Sequence, residues 1–377
     1  MTSITTEKIQ KTYFNNLNAL RFIAAFSVFF FHLINQLKAA YPSLTEITLL
    51  KPLFVIFDKG NLGVNFFFVL SGFLITYLIL EEIKNFGSFS LSKFLIRRTL
   101  RIWPLYFIII LLGFVIFPLL FSDYYTDHKL INYLLFLANF DEIWHGINDP
   151  INFLTVPWSV AVEEQFYLFW GVLIWALLRL KKLKLGFVIF VLYILCFIFR
   201  TYHWQDEYIL YYHTIAVAQD ILTGAFVGLS VFKGREWIEK LKNLKQWQVI
   251  FIYALGLFIC IAKNKIFADQ MVIFERFILS IFFAYVIIDQ SLGKNSFYKF
   301  GKTKFFNYFG KISYGLYMYH LLIMYLTAIY LPDFENKPGL YLIVHFGVNL
   351  SLTLIISSLS YRFIESKFLA LKPSQKK

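Results

Sequence analysis

Arg21 and His32 stand in the apolar run LRFIAAFSVFFFHL, residues 20–33. One is a permanent cation and the other a titratable nitrogen. Eleven positions separate them. On an α-helix that spacing is about 20° from three full turns, so both side chains project from one face, roughly 16 Å apart along the axis. Each alone has a plain explanation: Arg21 snorkels to an interface, and His32 bonds a neighbouring backbone. On a common face they read as the start of a site. An ionisable group at mid-bilayer depth costs about 2.5–3.5 kcal/mol on insertion scales and is retained where it faces a cavity or a partner.

Other segments carry residues of the same kind. RRTLRIWPLYF holds Arg97, Arg98 and Arg101, whose guanidinium forks suit phosphate oxygens; ordinary anchoring at a membrane face is the plain alternative. WSVAVEEQFYLFWG holds Glu163 and Glu164, with Tyr167 one turn beyond Glu163 on the same face. Adjacent carboxylates at a lipid boundary need solvent or partners, so they are expected to neutralise an arginine or orient a histidine. KISYGLYMYHLLI sets Ser313, Tyr317 and His320 at i, i+4 and i+7 in one stripe. Asp220, in AQDILTGAFVG, is a further ionisable candidate, and Glu275 and Arg276 are neighbours that could offset each other. Gly63, Ser71 and Gly72, in GVNFFFVLSGF, read as small residues for close helix packing.

The elements that must position these groups follow from composition. Of 377 residues, 59% are hydrophobic and 16% charged, against about 25% charged in a soluble domain. Apolar stretches near 20 residues recur throughout, which predicts an all-α, polytopic membrane bundle. Ten spans are expected, near 17–37, 60–81, 101–122, 158–179, 185–203, 212–232, 247–263, 270–289, 308–330 and 339–363, with a shorter apolar stretch near 129–140. The net charge of +13 does not imply a nucleic-acid partner, because basic residues gather in alternate loops. Arg97, Arg98 and Arg101, then Lys181, Lys182 and Lys184, then Lys240, Lys242 and Lys245 fall on one side. Asp123, Asp127, Asp141, Glu142 and Asp149 fall on the other. The positive-inside rule then places both termini in the cytoplasm.

The first span lacks a small-x-small cleavage pattern, since Lys38 precedes Ala40, and is expected to be retained. Cys196 and Cys260 both fall in spans and read as buried thiols. No phosphate-binding loop, nucleophile elbow, zinc-protease or dinucleotide motif occurs, and no metal is implied. A single membrane domain over residues 1–377, with its core at 15–368, accounts for the chain.

Taken in order, these segments resemble the membrane acyltransferase family 3. The likeness rests on Arg21 to His32 with ten residues between, GVNFFFVLSGF, RRTLRIWP, WSVAVEEQFYL, ISYGLYMYH and a closing LSYRFIE that ends at Glu365. It runs from about residue 15 to 368. Asn65 stands where the family commonly has an acid, and Gly171 and Lys367 where it commonly has proline. The resemblance implies an integral membrane enzyme of the bacterial cell membrane. Such an enzyme moves an acyl group, usually acetyl, from cytoplasmic acyl-CoA to a hydroxyl of a surface or lipid-linked saccharide.

On that expectation Arg97, Arg98 and Arg101 bind the phosphates of acyl-CoA and Arg21 lies on the route of its arm. His32 then acts as general base or acyl carrier, with Glu163 orienting the imidazole or receiving the acceptor. Glu164, Tyr167, Ser313, Tyr317, His320 and Asp220 complete the candidates. The competing class is a transporter of a lipid-linked sugar or small solute, which ten spans with intramembrane charges would also serve; repeated halves and paired broken helices are not evident.

Overall fold

The computed structural model describes residues 14, 16–48, 50–146, 152–180, 184–332, 334 and 337–373. Asp149, Lys181 and Lys182 lie outside the described residues. Among the described residues the secondary structure is helical throughout, with no strand. The main helices are α1 (Asn16–Ala40), α2 (Leu62–Phe86), α3 (Leu91–Leu111), α4 (Ala138–His145), α5 (Pro157–Arg179) and α6 (Leu185–Tyr202). They continue with α7 (Thr214–Phe232), α8 (Gln246–Ile266), α9 (Val272–Leu292), α10 (Lys304–Lys311), α11 (Ser313–Tyr330) and α12 (Pro338–Ser360).

Nine unbroken segments among the described residues are long and apolar enough to cross a membrane, and a tenth forms if α10 and α11 act together. At about 1.5 Å per residue, a helix of 20 or more residues matches the roughly 30 Å hydrocarbon core. Each expected span has its counterpart. The third begins earlier than hydropathy alone indicates, at Leu91, because Ser90 caps α3 by accepting from the Lys93 amide. The helix of the fourth expected span, α5, begins at Pro157, where a missing N–H costs nothing. The ninth is broken: α10 meets α11 at 65°, and Ser313 Oγ donates to the Gly310 carbonyl across the bend. The stretch near 129–140 forms two short helices, Leu130–Leu134 and α4.

At the centre α2 packs on α7. A Cβ on Gly72 would fall 1.8 Å from the Ile221 carbonyl oxygen, and one on Gly224 would fall 1.9 Å from that of Val69. Backbones this close exclude any side chain, which is how lipid-embedded helices gain packing energy without a hydrophobic drive between them. Gly63 serves the same end against α1, near the Ala24 carbonyl. α6 and α8 lie at the periphery and expose Phe187, Phe190, Ile198, Phe251, Leu257 and Phe258, a surface suited to lipid tails.

Two widened turns interrupt the long helices. One, Leu112–Ile116, precedes Pro118, whose ring removes a donor from the ladder. The other, Tyr361–Glu365, follows α12 and leaves Glu365 buried. Cys196 and Cys260 are buried and unpaired.

Candidate functional site

Two cavities meet inside the bundle. The smaller, about 100 Å³, is lined by Arg21 of α1, Ser71 of α2, Arg98 and Arg101 of α3, Glu163 and Tyr167 of α5, and Ser313, Tyr314 and Tyr317 of α11, among others. The larger, about 1070 Å³, is lined by His32, Asn35, Asn61, Asn65, Trp158, Tyr211, Lys263, Arg276, Tyr317 and His320, with others. Val64 and Tyr317 line both. Arg21 and His32, one face of α1, therefore open into adjoining chambers, as their spacing predicts.

In the smaller chamber Arg21 Nη1 donates to Asn18 Oδ1 at 2.8 Å. Arg98 stacks over the rings of Phe94 and Tyr167, at 5.8 and 5.5 Å from their centroids. No ion pair among the described residues involves Arg21, Arg98 or Arg101. Three guanidinium groups around one cavity, none in an ion pair, can receive an anion. Glu163 shares the chamber but is held by hydroxyls: Ser71 Oγ donates to Oε1 at 2.6 Å, and Tyr167 Oη lies 2.8 Å from Oε2.

Tyr317 stands between the chambers, with its hydroxyl 2.6 Å from Ser159 Oγ. One turn along α11, His320 is fully buried and its ring centroid lies 5.1 Å from that of His32. His320 Nδ1 is 2.6 Å from the Tyr317 carbonyl. A carbonyl only accepts, so the proton sits on Nδ1 and Nε2 bears the lone pair. That Nε2 has no partner within the protein.

Several expected roles change. Arg97 does not face the chamber: its Nη2 pairs with Glu82 Oε2 at 2.7 Å, because adjacent helical residues point about 100° apart. The same offset turns Glu164 away from Glu163, and Glu164 accepts from Trp103 Nε1 at 3.0 Å. Glu163 sits with the arginines and no hydrogen bond joins it to His32, so it does not orient that imidazole. Asp220 lines neither cavity; it pairs with Arg276 and accepts from Asn65 Nδ2 at 3.0 Å, setting both of those wall residues. Arg276 and Glu275 do not offset each other, since Glu275 takes Lys263 at 2.9 Å. Ser71 is a polar site residue as well as a small one.

Three residues escaped notice in the sequence. Tyr314 lines the smaller chamber and donates to the Ile102 carbonyl at 2.9 Å. Arg200, in the last turn of α6 where the apolar run ends, gathers the carbonyls of Leu210, Ala216, Val272 and Ile273 and fixes the wall of the larger chamber. At a helix end it reads in the sequence as an ordinary interfacial cation. Lys372 lies near Arg101, Arg98, Arg97 and Arg21; burial first, then their charges, push its ammonium down to about 7. Only the return of the C-terminal segment brings it there.

The sequence model of the acyltransferase 3 family, described as an acyltransferase domain, matches residues 14–362. The chain is 28% identical to "Putative O-acetyltransferase SACOL0978" of Staphylococcus aureus (strain COL), covering 94% of this chain and 57% of the other. It is also 28% identical to "Peptidoglycan O-acetyltransferase OatA" of Listeria monocytogenes serovar 1/2a, covering 81% of this chain and 51% of that protein. "O-acetyltransferase OatA" of Staphylococcus aureus (strain NCTC 8325 / PS 47) matches at the same identity, over 81% and 52%. The chain thus spans about half the length of the curated relatives it matches. No solved structure matches. With a helical membrane bundle and a family match over nearly its whole length, the chain belongs to the acyltransferase 3 family.

Proposed function

We propose that the chain moves an acyl group, acetyl in the first instance, from acyl-CoA to a saccharide hydroxyl, with the two chambers receiving donor and acceptor from opposite sides of the cell membrane. The observation that carries this reading is the pairing of His32 with His320 where an arginine-lined chamber adjoins a larger polar-aromatic one. The three guanidinium groups suit the phosphates of the donor, and the basic loops favour the cytoplasm for that end. Trp158, Tyr211 and the amides of Asn35, Asn61 and Asn65 offer flat apolar faces and hydrogen-bonding groups that fit a sugar. O-acetylation of peptidoglycan, the activity named for the Listeria relative, is one such reaction.

In this reading the neutral imidazole of His32 takes the proton from the acceptor hydroxyl as its oxygen attacks the thioester carbonyl. A C–O bond forms, the C–S bond breaks, and the imidazolium returns the proton to the departing thiolate. His320 supports the protonated form of His32 through its Nε2 lone pair, while Tyr317 separates the chambers. An acyl-imidazole on His32 would divide the same transfer into two steps. The transporter reading draws no specific support from the geometry.

Membranes containing the full chain, acetyl-CoA and a peptidoglycan fragment test the proposal through free CoA and acetylated glycan. His32→Ala is expected to lower the rate about 100- to 10,000-fold with insertion unchanged. Wild-type turnover by that variant would remove His32 from the chemistry.

A further inference from the structure

The segment between α3 and α5 lies outside the spanning helices and holds a second polar cluster that the acyl-transfer reading does not use. Asp141 and His145 are one turn apart on α4 and share a face. Asp141 Oδ2 lies 2.6 Å from His128 Nδ1 and 3.5 Å from His145 Nδ1. One ligand atom from each of the three residues falls within 4.8 Å of the others. The remaining Asp141 oxygen is held in place by the Asn132 amide and the Lys129 N–H.

A second observation points to an occupant. Glu142, fully buried beside this group, has both carboxylate oxygens without a hydrogen bond that meets normal geometry, although Thr155 is a polar neighbour. Its Oε1 lies 3.9 Å from His128 Nε2. A buried carboxylate left in this state is costly. A cation bound at His128 Nδ1 would put the imidazole proton on Nε2, aimed at Glu142. That makes the carboxylate–histidine–metal relay found behind metal-ligating histidines.

We propose that His128, Asp141 and His145 bind a divalent transition-metal ion, zinc by ligand type, with Glu142 orienting His128 from behind. Two imidazole nitrogens and one carboxylate oxygen are a usual three-residue zinc set, with a fourth position for water. These ligands follow no standard metal-site spacing in the sequence: His128 lies thirteen residues before Asp141 and reaches it only through the fold. The ion would tie the 128–145 segment together. On the same helix Asn139 Nδ2 donates to the Tyr212 carbonyl and to Thr214, at 3.0 and 3.1 Å, and Tyr212 lines the larger chamber. The site therefore braces a wall of that chamber and is independent of the transfer chemistry.

The test uses the full chain in detergent, stripped with a chelator and then titrated with Zn²⁺ or Co²⁺ and washed. The expected result is about one metal ion per chain by elemental analysis, with tetrahedral Co²⁺ absorption bands. His145→Ala, at a helix end, and Glu142→Gln should each weaken binding about 10- to 100-fold while the protein remains monodisperse. Chelation should lower the thermal midpoint of the wild type more than that of His145→Ala. Absence of stoichiometric metal in the wild type would overturn the proposal. Equal binding by His145→Ala would overturn it as well.

Discussion

Ser71 and Tyr167 bring two hydroxyls to Glu163 inside a chamber whose other charged lining residues are arginines, so the carboxylate keeps a fixed place without an arginine partner. Ser71→Ala removes one donor from a half-buried charged group, and stability is expected to fall by about 1–3 kcal/mol, read as a lower thermal midpoint in detergent. Arg98 stacks on Tyr167, and under the proposed function its fork holds the donor phosphate. Arg98→Lys keeps the charge and loses both, so the donor KM is expected to rise roughly tenfold with a smaller change in kcat. Steady-state kinetics with varied acetyl-CoA distinguish this from Arg97→Lys. Arg97 is committed to Glu82, and its substitution should leave donor KM near wild type. The sequence marked all three arginines alike; a helical wheel separates Arg97 from its neighbour by direction, but only the position of Glu82 assigns it a partner.

At the scale of elements, the α2–α7 pair holds the site together. Ser71 precedes Gly72 on α2, so the residue that fixes Glu163 and the one that meets α7 are neighbours in sequence. Gly224→Leu would force a branched side chain into the Val69 carbonyl, and the expected outcome is loss of the folded, monodisperse protein in size-exclusion chromatography. Phe258→Leu on peripheral α8 should be neutral in the same assay, since that ring is 62% exposed on the lipid-facing surface. Ser313, Tyr317 and His320 were legible as one stripe on α11, and the stripe runs from the smaller chamber to the larger. The bend that starts α11 was not legible, because the change of direction at Ile312 follows from how α10 packs on α1 rather than from local sequence.

At the scale of the whole molecule, Lys372 couples the C-terminal segment to the arginine chamber. Its ammonium is held down to about 7 against an ordinary value of 10.5, first by burial and then by the arginines. The unfolded chain therefore binds more protons between these limits. Stability from this group rises with pH from about 7 to 10.5, and the full repulsive penalty is present below 7. An anion in the chamber reverses the shift by favouring the charged ammonium. Donor binding at pH 8 is thus expected to take up a proton. Calorimetry in two buffers of different ionisation enthalpy reads this uptake, and Lys372→Met should abolish it.

Apolar length and residue spacing were sufficient to establish a helical membrane bundle of nine to ten candidate spans and the shared face of Arg21 and His32, because span length and helical period are local properties. Tertiary structure decided which charges are neutralised and which stay available. Asp220 meets Arg276 across 56 residues, Glu82 meets Arg97, and His320 comes beside His32 from the far end of the chain. Pairing in a low-dielectric interior depends on contact distance between side chains on different helices, and that distance is set by helix packing rather than by position along the sequence.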